Sequence, residues 1–182
     1  MRSHAIALAA AVLAGLTGCG GGDTAEGPAP KAPATMNLTS EAFAEGATIP
    51  ERHTCDGDDV APPLHWDGTP ADARALALVM DDPDAHGGTF VHWTVVDLPP
   101  GTSSLGADEP PAGAQELENS FGEEGYRGPC PPEDDEPHHY VFTIYALDAK
   151  LGLDAGSSAA DARDAIGSHA IAEGRLTGRF GR

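Results

Sequence analysis

Three short runs of β-branched and aromatic residues constrain this 182-residue chain more than any other feature. Arg74 to Met80 (RALALVM) runs into a turn at Asp81-Asp82-Pro83-Asp84. Thr89 to Leu98 (TFVHWTVVDL) stops at Pro99-Pro100-Gly101, and His139 to Leu147 (HYVFTIYAL) has the same character. Shorter strands are predicted at Leu64 to Trp66 and at Arg175 to Phe180. The one good helix candidate lies between Ser157 and Glu173, with Ser158 as cap, Asp161 at the third position, and Ala162, Ile166 and Ala170 at four-residue spacing. Gly167 weakens its middle, which leaves one broken helix or two short ones open. The connections are long and rich in Pro and Gly, above all Pro99 to Pro137. The sum is a mainly β domain with one or two peripheral helices.

The N-terminus reads as an address rather than a fold. Residues 1–18 combine Arg2 with an apolar run from Ala5 to Leu16, shorter than the roughly 20 apolar residues that span a bilayer. The run ends in Leu16-Thr17-Gly18-Cys19. Small residues before a cysteine resemble the lipobox of bacterial lipoproteins, in which the cysteine is acylated and begins the mature chain; an ordinary signal with a coincidental cysteine is the alternative. The expected localisation is the cell envelope, with the membrane engaged through lipid on Cys19. Residues 19–36 offer almost nothing to bury and read as a flexible tether, so a single folded domain is expected over 37–182. With Cys19 lipidated, Cys55 and Cys130 remain in an oxidising compartment. A bridge would close a loop of roughly 75 residues, worth about 4 kcal/mol in the chain-entropy picture; two buried thiols are the other reading.

Charge excludes one class of partner. With 29 acidic against 10 basic side chains the formal charge is −19, a field that repels nucleic acid and opposes anionic headgroups. Most of this charge reads as a solvated surface, concentrated at Glu116 to Glu124 and Glu133 to Glu136. Asp56-Gly57-Asp58-Asp59 lacks the remaining ligands of a twelve-residue calcium loop.

Three clusters carry chemistry: Asp81 to His86 at a strand end, His92-Trp93 inside the most hydrophobic strand, and Gly125 to Pro132 followed by His138-His139-Tyr140. Strict alternation puts Phe90, His92, Thr94 and Val96 on one face and Val91, Trp93 and Val95 on the other. An imidazole inside such a strand needs a hydrogen-bond partner, a backbone carbonyl or a carboxylate. Taken singly, His138 and His139 read as surface histidines.

Taken in order, the segments CDGDDVAPPLHW (Cys55 to Trp66), DDPDA (Asp81 to Ala85), VHW (Val91 to Trp93), GYRGPCPP (Gly125 to Pro132) and HHYVFTIYAL (His138 to Leu147) resemble the phosphatidylethanolamine-binding protein family. The likeness is greatest to its bacterial, Raf kinase inhibitor-like members and covers roughly Phe43 to Gly181. It implies two antiparallel, Greek-key β-sheets and a small pocket for phosphate, acetate or a phosphoryl headgroup. Position by position, it implies Asp82, His92, Pro132, His138 and Tyr140 as ligand-binding residues. Where many relatives place proline after Asp-Pro-Asp-Ala, this chain has His86, a candidate third imidazole at the rim and a sign that the loop turns differently. A bridge between Cys55 and Cys130 would brace the pocket wall.

The chemistry expected of that pocket is anion binding. Two imidazoles donate ring N–H groups, Asp82 orients one of them, and Tyr140 adds a hydroxyl, all around one solvent-reachable hollow. No cofactor is implied. The leading expectation is a non-catalytic module for a small anionic or phosphorylated ligand, with kinase or protease inhibition as a further role of relatives. The alternative is a zinc-dependent or other hydrolase using Asp82, His92 and His138. Ser120, before the Gly-rich segment, carries no sign of activation.

Overall fold

The computed structural model describes residues 34–182. The leader, Cys19 and the tether as far as residue 33 lie outside the described residues. Strand pairing begins earlier than the expected domain start at Asn37: β1 (Ala34–Thr35) pairs parallel to the last strand, and Met36 is buried.

One sheet has six strands in the order β1-β9-β8-β4-β5-β7; the other has three, β2-β3-β6. β4 (Ala75–Asp82), β5 (Phe90–Leu98), β8 (His138–Leu147) and β9 (Ala170–Phe180) form the large sheet's centre, with β7 (Gln115–Glu116) at its edge. β2 (Asn37–Ser40), β3 (Leu64–Asp67) and β6 (Ser104–Leu105) form the small one. The chain leaves β5, crosses to β6 and β7, and returns as β8 on the far side of β4, a Greek-key path. Among the named strands every pairing is antiparallel except β1 with β9, and an isolated parallel bridge joins Thr48 to Arg179; both depart from the expected all-antiparallel sheets.

Strand β4 shows why its sequence is apolar on both faces. Leu76, Leu78 and Met80 enter the core that includes Trp66 and Leu38 of the small sheet. Ala75, Ala77 and Val79 face a second cluster with Ala162 and Ile166 of the helix α1 (Ala159–His169). Large side chains fill the space between sheets, and small ones let a helix lie close to the other face. Full burial of each large residue is worth about 1.5–3 kcal/mol.

Helix α1 starts where the sequence predicts. The Ser158 side chain accepts from the Asp161 N–H, and Asp161 receives the Ser158 N–H in return, a reciprocal cap. It is one unbroken helix through Gly167, but it ends at His169. Ala170, expected on its face, instead opens β9 and pairs with Leu147. Alanine is compatible with either state, and the long antiparallel ladder with β8 decides between them.

Strand β5 departs from strict alternation. Trp93 pairs with Met80 but Val91 pairs with Asp81, so the register shifts and His92 is left without a cross-strand partner. Trp93 and Val95 consequently join the inter-sheet core, while Val91 joins Val96 in the helix-side cluster. The expected grouping of Val91 with Trp93 is corrected by this bulge, which re-aims a side chain in the way bulges do beside functional sites.

Candidate functional site

Three neighbouring strands meet at the end of the large sheet where β4 stops and β8 starts. Asp82 is the last residue of β4, His138 the first of β8, and His92 the bulged residue of β5. Residues two apart on a strand share a face, so His138 and Tyr140 lie side by side with rings stacked at 6.5 Å, and the His92 ring meets Tyr140 edge-on at 5.3 Å. The fold therefore brings Asp82, His92, His138 and Tyr140 together around the Tyr140 ring.

Asp82 is fully committed. One carboxylate oxygen accepts the Asp84 N–H at 2.9 Å, and the other lies 2.8 Å from His138 Nδ1. Burial works against charging His138, but the hydrogen bond and charge of Asp82, with Asp84 and Asp135 beyond, outweigh it and raise the imidazole pKa above its ordinary value. Nδ1–H donates to Asp82, and when the ring is protonated its second N–H, on Nε2, points away from that partner.

His92 behaves in the opposite sense. Burial holds its pKa down, against the opposing pull of the Arg127 and Gly128 backbone and of Asp82. Its Nδ1 lies 2.8 Å from the Arg127 carbonyl, which can only accept, so Nδ1 carries the proton and Nε2 of the neutral ring carries a lone pair. The expectation of two N–H-donating imidazoles is corrected at His92, whose Nε2 accepts because Nδ1–H is held by Arg127, while His138 Nε2 donates when that ring is protonated.

The wall that fixes His92 is anchored to the segment from His53 to Asp59. Tyr126 donates its hydroxyl to the His53 carbonyl at 2.6 Å, the Gly128 N–H donates to Asp59 at 2.7 Å, and the Arg127 guanidinium pairs with the same carboxylate at 3.2 Å. Cys55 and Cys130 are joined, with Cα atoms 5.4 Å apart, and the Cys55 N–H donates to the Pro129 carbonyl. Gly128 is required by close approach: a Cβ there would stand 2.5 Å from the His53 carbonyl oxygen. Asp59, within the acidic run once compared with a calcium loop, is thus an internal bracket of this wall.

Tyr140 is fully buried. Burial and the nearby Asp82 charge push its pKa well up, so the hydroxyl keeps its proton. That hydroxyl makes no hydrogen bond of good geometry among the described residues, although Asp82 and the Cys130 backbone lie near it.

The remaining predicted residues sit at the margin. His86 is exposed, 3.6 Å from Asp135 through Nε2. No cis peptide occurs among the described residues; Gly87 and Gly88, at positive φ, make the turn after His86. Pro132 is exposed and its carbonyl accepts the Asp135 N–H at 3.4 Å. Phe121, the one large hydrophobic exposed among the described residues, packs edge-on against His92 and Phe90, with Arg127 over its ring.

One further feature differs from expectation. The cluster is nearly closed, with Asp82 and His92 each 3% exposed and His138 6%, rather than lining an open hollow. Among the described residues no three His, Cys, Asp or Glu side chains are arranged to hold a metal ion. The Nδ1 atoms of His92 and His138 are already spent on Arg127 and Asp82. Ser120 donates no proton to a base; its hydroxyl accepts the Val91 N–H.

Several contributors were not singled out from the sequence. Asp84 accepts both the His139 N–H and its ring Nδ1–H, which holds the Asp84 pKa down despite the opposing effect of burial. The pattern Asp-x-Asp against His-His on an adjacent strand carried that signal. The Arg127 carbonyl carried none, because a backbone group leaves no mark in the sequence.

The family model described as phosphatidylethanolamine-binding protein matches residues 39–181. The chain belongs to the phosphatidylethanolamine-binding protein family. Among its relatives, the Mycobacterium tuberculosis protein named "Putative lipoprotein LppC" is 46% identical, covering 95% of this chain and 92% of its own. A UPF0098 protein of Methanothermobacter thermautotrophicus is 42% identical over 81% of this chain and 99% of its own. The solved structure of Escherichia coli YbcL, described as a new member of the mammalian family, superposes with a TM-score of 0.78. It is 32% identical and covers 81% of this chain and 98% of YbcL. The two-sheet, mainly β architecture is that of a bacterial member of this family.

Proposed function

We propose that this chain is an envelope-tethered, non-catalytic module that binds a small anion or phosphoryl headgroup at Asp82, His92, His138 and Tyr140. The observation that carries the reading is the polarity of His138, Tyr140 and His92, with Asp82 behind His138. When protonated, His138 offers a charged Nε2–H, Tyr140 a buried hydroxyl with no hydrogen bond of good geometry, and His92 a lone pair on Nε2. Two donors and one acceptor fit a phosphoryl or carboxyl head, the acceptor suiting an oxyanion that still carries one proton. A buried hydroxyl costs free energy until a partner arrives.

The site favours binding over bond cleavage because none of its groups is a placed nucleophile with a base beside it. Envelope anchoring draws support from Leu16 to Cys19 in the sequence and from the relative whose printed name calls it a lipoprotein. Kinase or protease inhibition, the other role implied by resemblance, draws no support from this geometry.

Calorimetric titration with inorganic phosphate tests the proposal. Micromolar to millimolar affinity is expected, weakened about tenfold or more in His138→Gln, since charge-assisted hydrogen bonds are worth roughly 1.5–3 kcal/mol. Equal heats and affinity in the wild type and that variant would remove the assignment.

A further inference from the structure

The loop between the Gly-Pro wall and β8 brings a carboxylate of the chain itself against the anion site. Asp134 takes positive φ and Asp135 turns back, its N–H reaching the Pro132 carbonyl. One Asp135 carboxylate oxygen, Oδ2, is buried and makes no hydrogen bond. It stands 3.7 Å from His138 Nε2 and 3.6 Å from His86 Nε2. These are ion-pair separations, too long for hydrogen bonds. An orphaned buried carboxylate oxygen is costly, and its position asks for a reason. His138 Nδ1 is already taken by Asp82, so Nε2 is the edge left for a ligand, and Asp135 stands against it.

We propose that Asp135 is a built-in competitor that any incoming oxyanion must displace from His138 Nε2, and so sets the affinity of the site. The proposal rests on the anion-binding reading of the site and deepens it. A ligand carboxylate offers His138 the same group that Asp135 already places there at high effective concentration. A phosphoryl head carries more oxygens and reaches His138, Tyr140 and His92 together, which the tethered carboxylate does not. Because either anion must displace the same side chain, Asp135 lowers the apparent affinity for both. Displacement is available because the Asp135 side chain is already 29% exposed and its outer partner His86 is 79% exposed.

The test compares inorganic phosphate and acetate as ligands of the wild type, Asp135→Asn and Glu136→Gln, followed by the His138 ring signals in NMR. Glu136 is an exposed neighbour whose loss changes net charge equally. Removing the competing carboxylate should tighten both phosphate and acetate binding about tenfold in Asp135→Asn, and change either less than about twofold in Glu136→Gln. Asp135→Ser, checked by the dispersion of its amide spectrum, should repeat the Asn result. Wild-type binding that Asp135→Asn leaves unchanged overturns the inference alone, as does an equal gain in Glu136→Gln. Failure of both wild type and Asp135→Asn to bind either anion overturns the underlying anion reading and this inference with it.

Discussion

Replacing Asp82 by asparagine removes a charge 2.8 Å from His138 Nδ1 while keeping a group of the same shape. The pKa of His138 is raised by folding, whereas in the unfolded chain it titrates near about 6.5. A raised value contributes stability that is complete below the unfolded pKa and lost as pH rises through the folded one. His92 has the opposite sign: its folded pKa is lowered, so its contribution is complete above about 6.5 and lost as pH falls towards the folded value. In Asp82→Asn the His138 pKa should fall to or below its unfolded value, and the loss of stability above about pH 6.5 should flatten. Histidine NMR titration and urea midpoints between pH 5.5 and 8.5, a range set about that reference value, check both. An unmoved His138 pKa would mean that Asp82 does not govern it.

At the scale of elements, the lesson lies in what periodicity does and does not reveal. The central strands, the reciprocal cap on α1 and the i, i+2 pairing of His138 with Tyr140 were legible because each rests on local residue types. The bulge at His92 was not, since a register shift depends on the partner strand. The early end of α1 escaped because the alanines at 170 and 172 favour a helix, and only the ladder with β8 overrides them. Asp135 read as solvated charge because an acid in a Pro-rich loop ordinarily is. The wall from Tyr126 to Pro132 illustrates the opposite case, in which tertiary bonds to residues 53–60 hold a loop that has no regular structure. Its bridge from Cys55 to Cys130 closes a separation of 75 residues. The double variant Cys55→Ser with Cys130→Ser should lose about 2–5 kcal/mol in chemical denaturation. It should also shift the His92 ring signal, because the Arg127 carbonyl would lose its brace. A stability change with His92 unmoved would separate the bridge from the site.

For the whole molecule, the outstanding contrast is an imidazole whose pKa is raised by neighbouring carboxylates inside a chain of formal charge −19. Such a field slows the approach of anions and of anionic membrane surfaces, so the proposed envelope tethering would rest on lipid at Cys19 rather than on the folded domain. No helix among the described residues is long and apolar enough to cross a membrane. Expressed in a bacterial host, the full chain should partition into detergent and incorporate a labelled fatty acid, and Cys19→Ser should abolish both; labelling that survives the substitution would place the anchor elsewhere. The folded domain's own contribution is the closed cluster at one end of its large sheet, where three strands bring an acid, two unlike imidazoles and a phenol into contact. Titration with inorganic phosphate near pH 6.5, with every histidine ring followed by NMR, tests most directly whether those groups act as one site. His92 and His138 should shift with a shared midpoint while His65, on the small sheet, stays still. Separate midpoints for the two rings, or movement of the surface histidines alone, would contradict a common anion site.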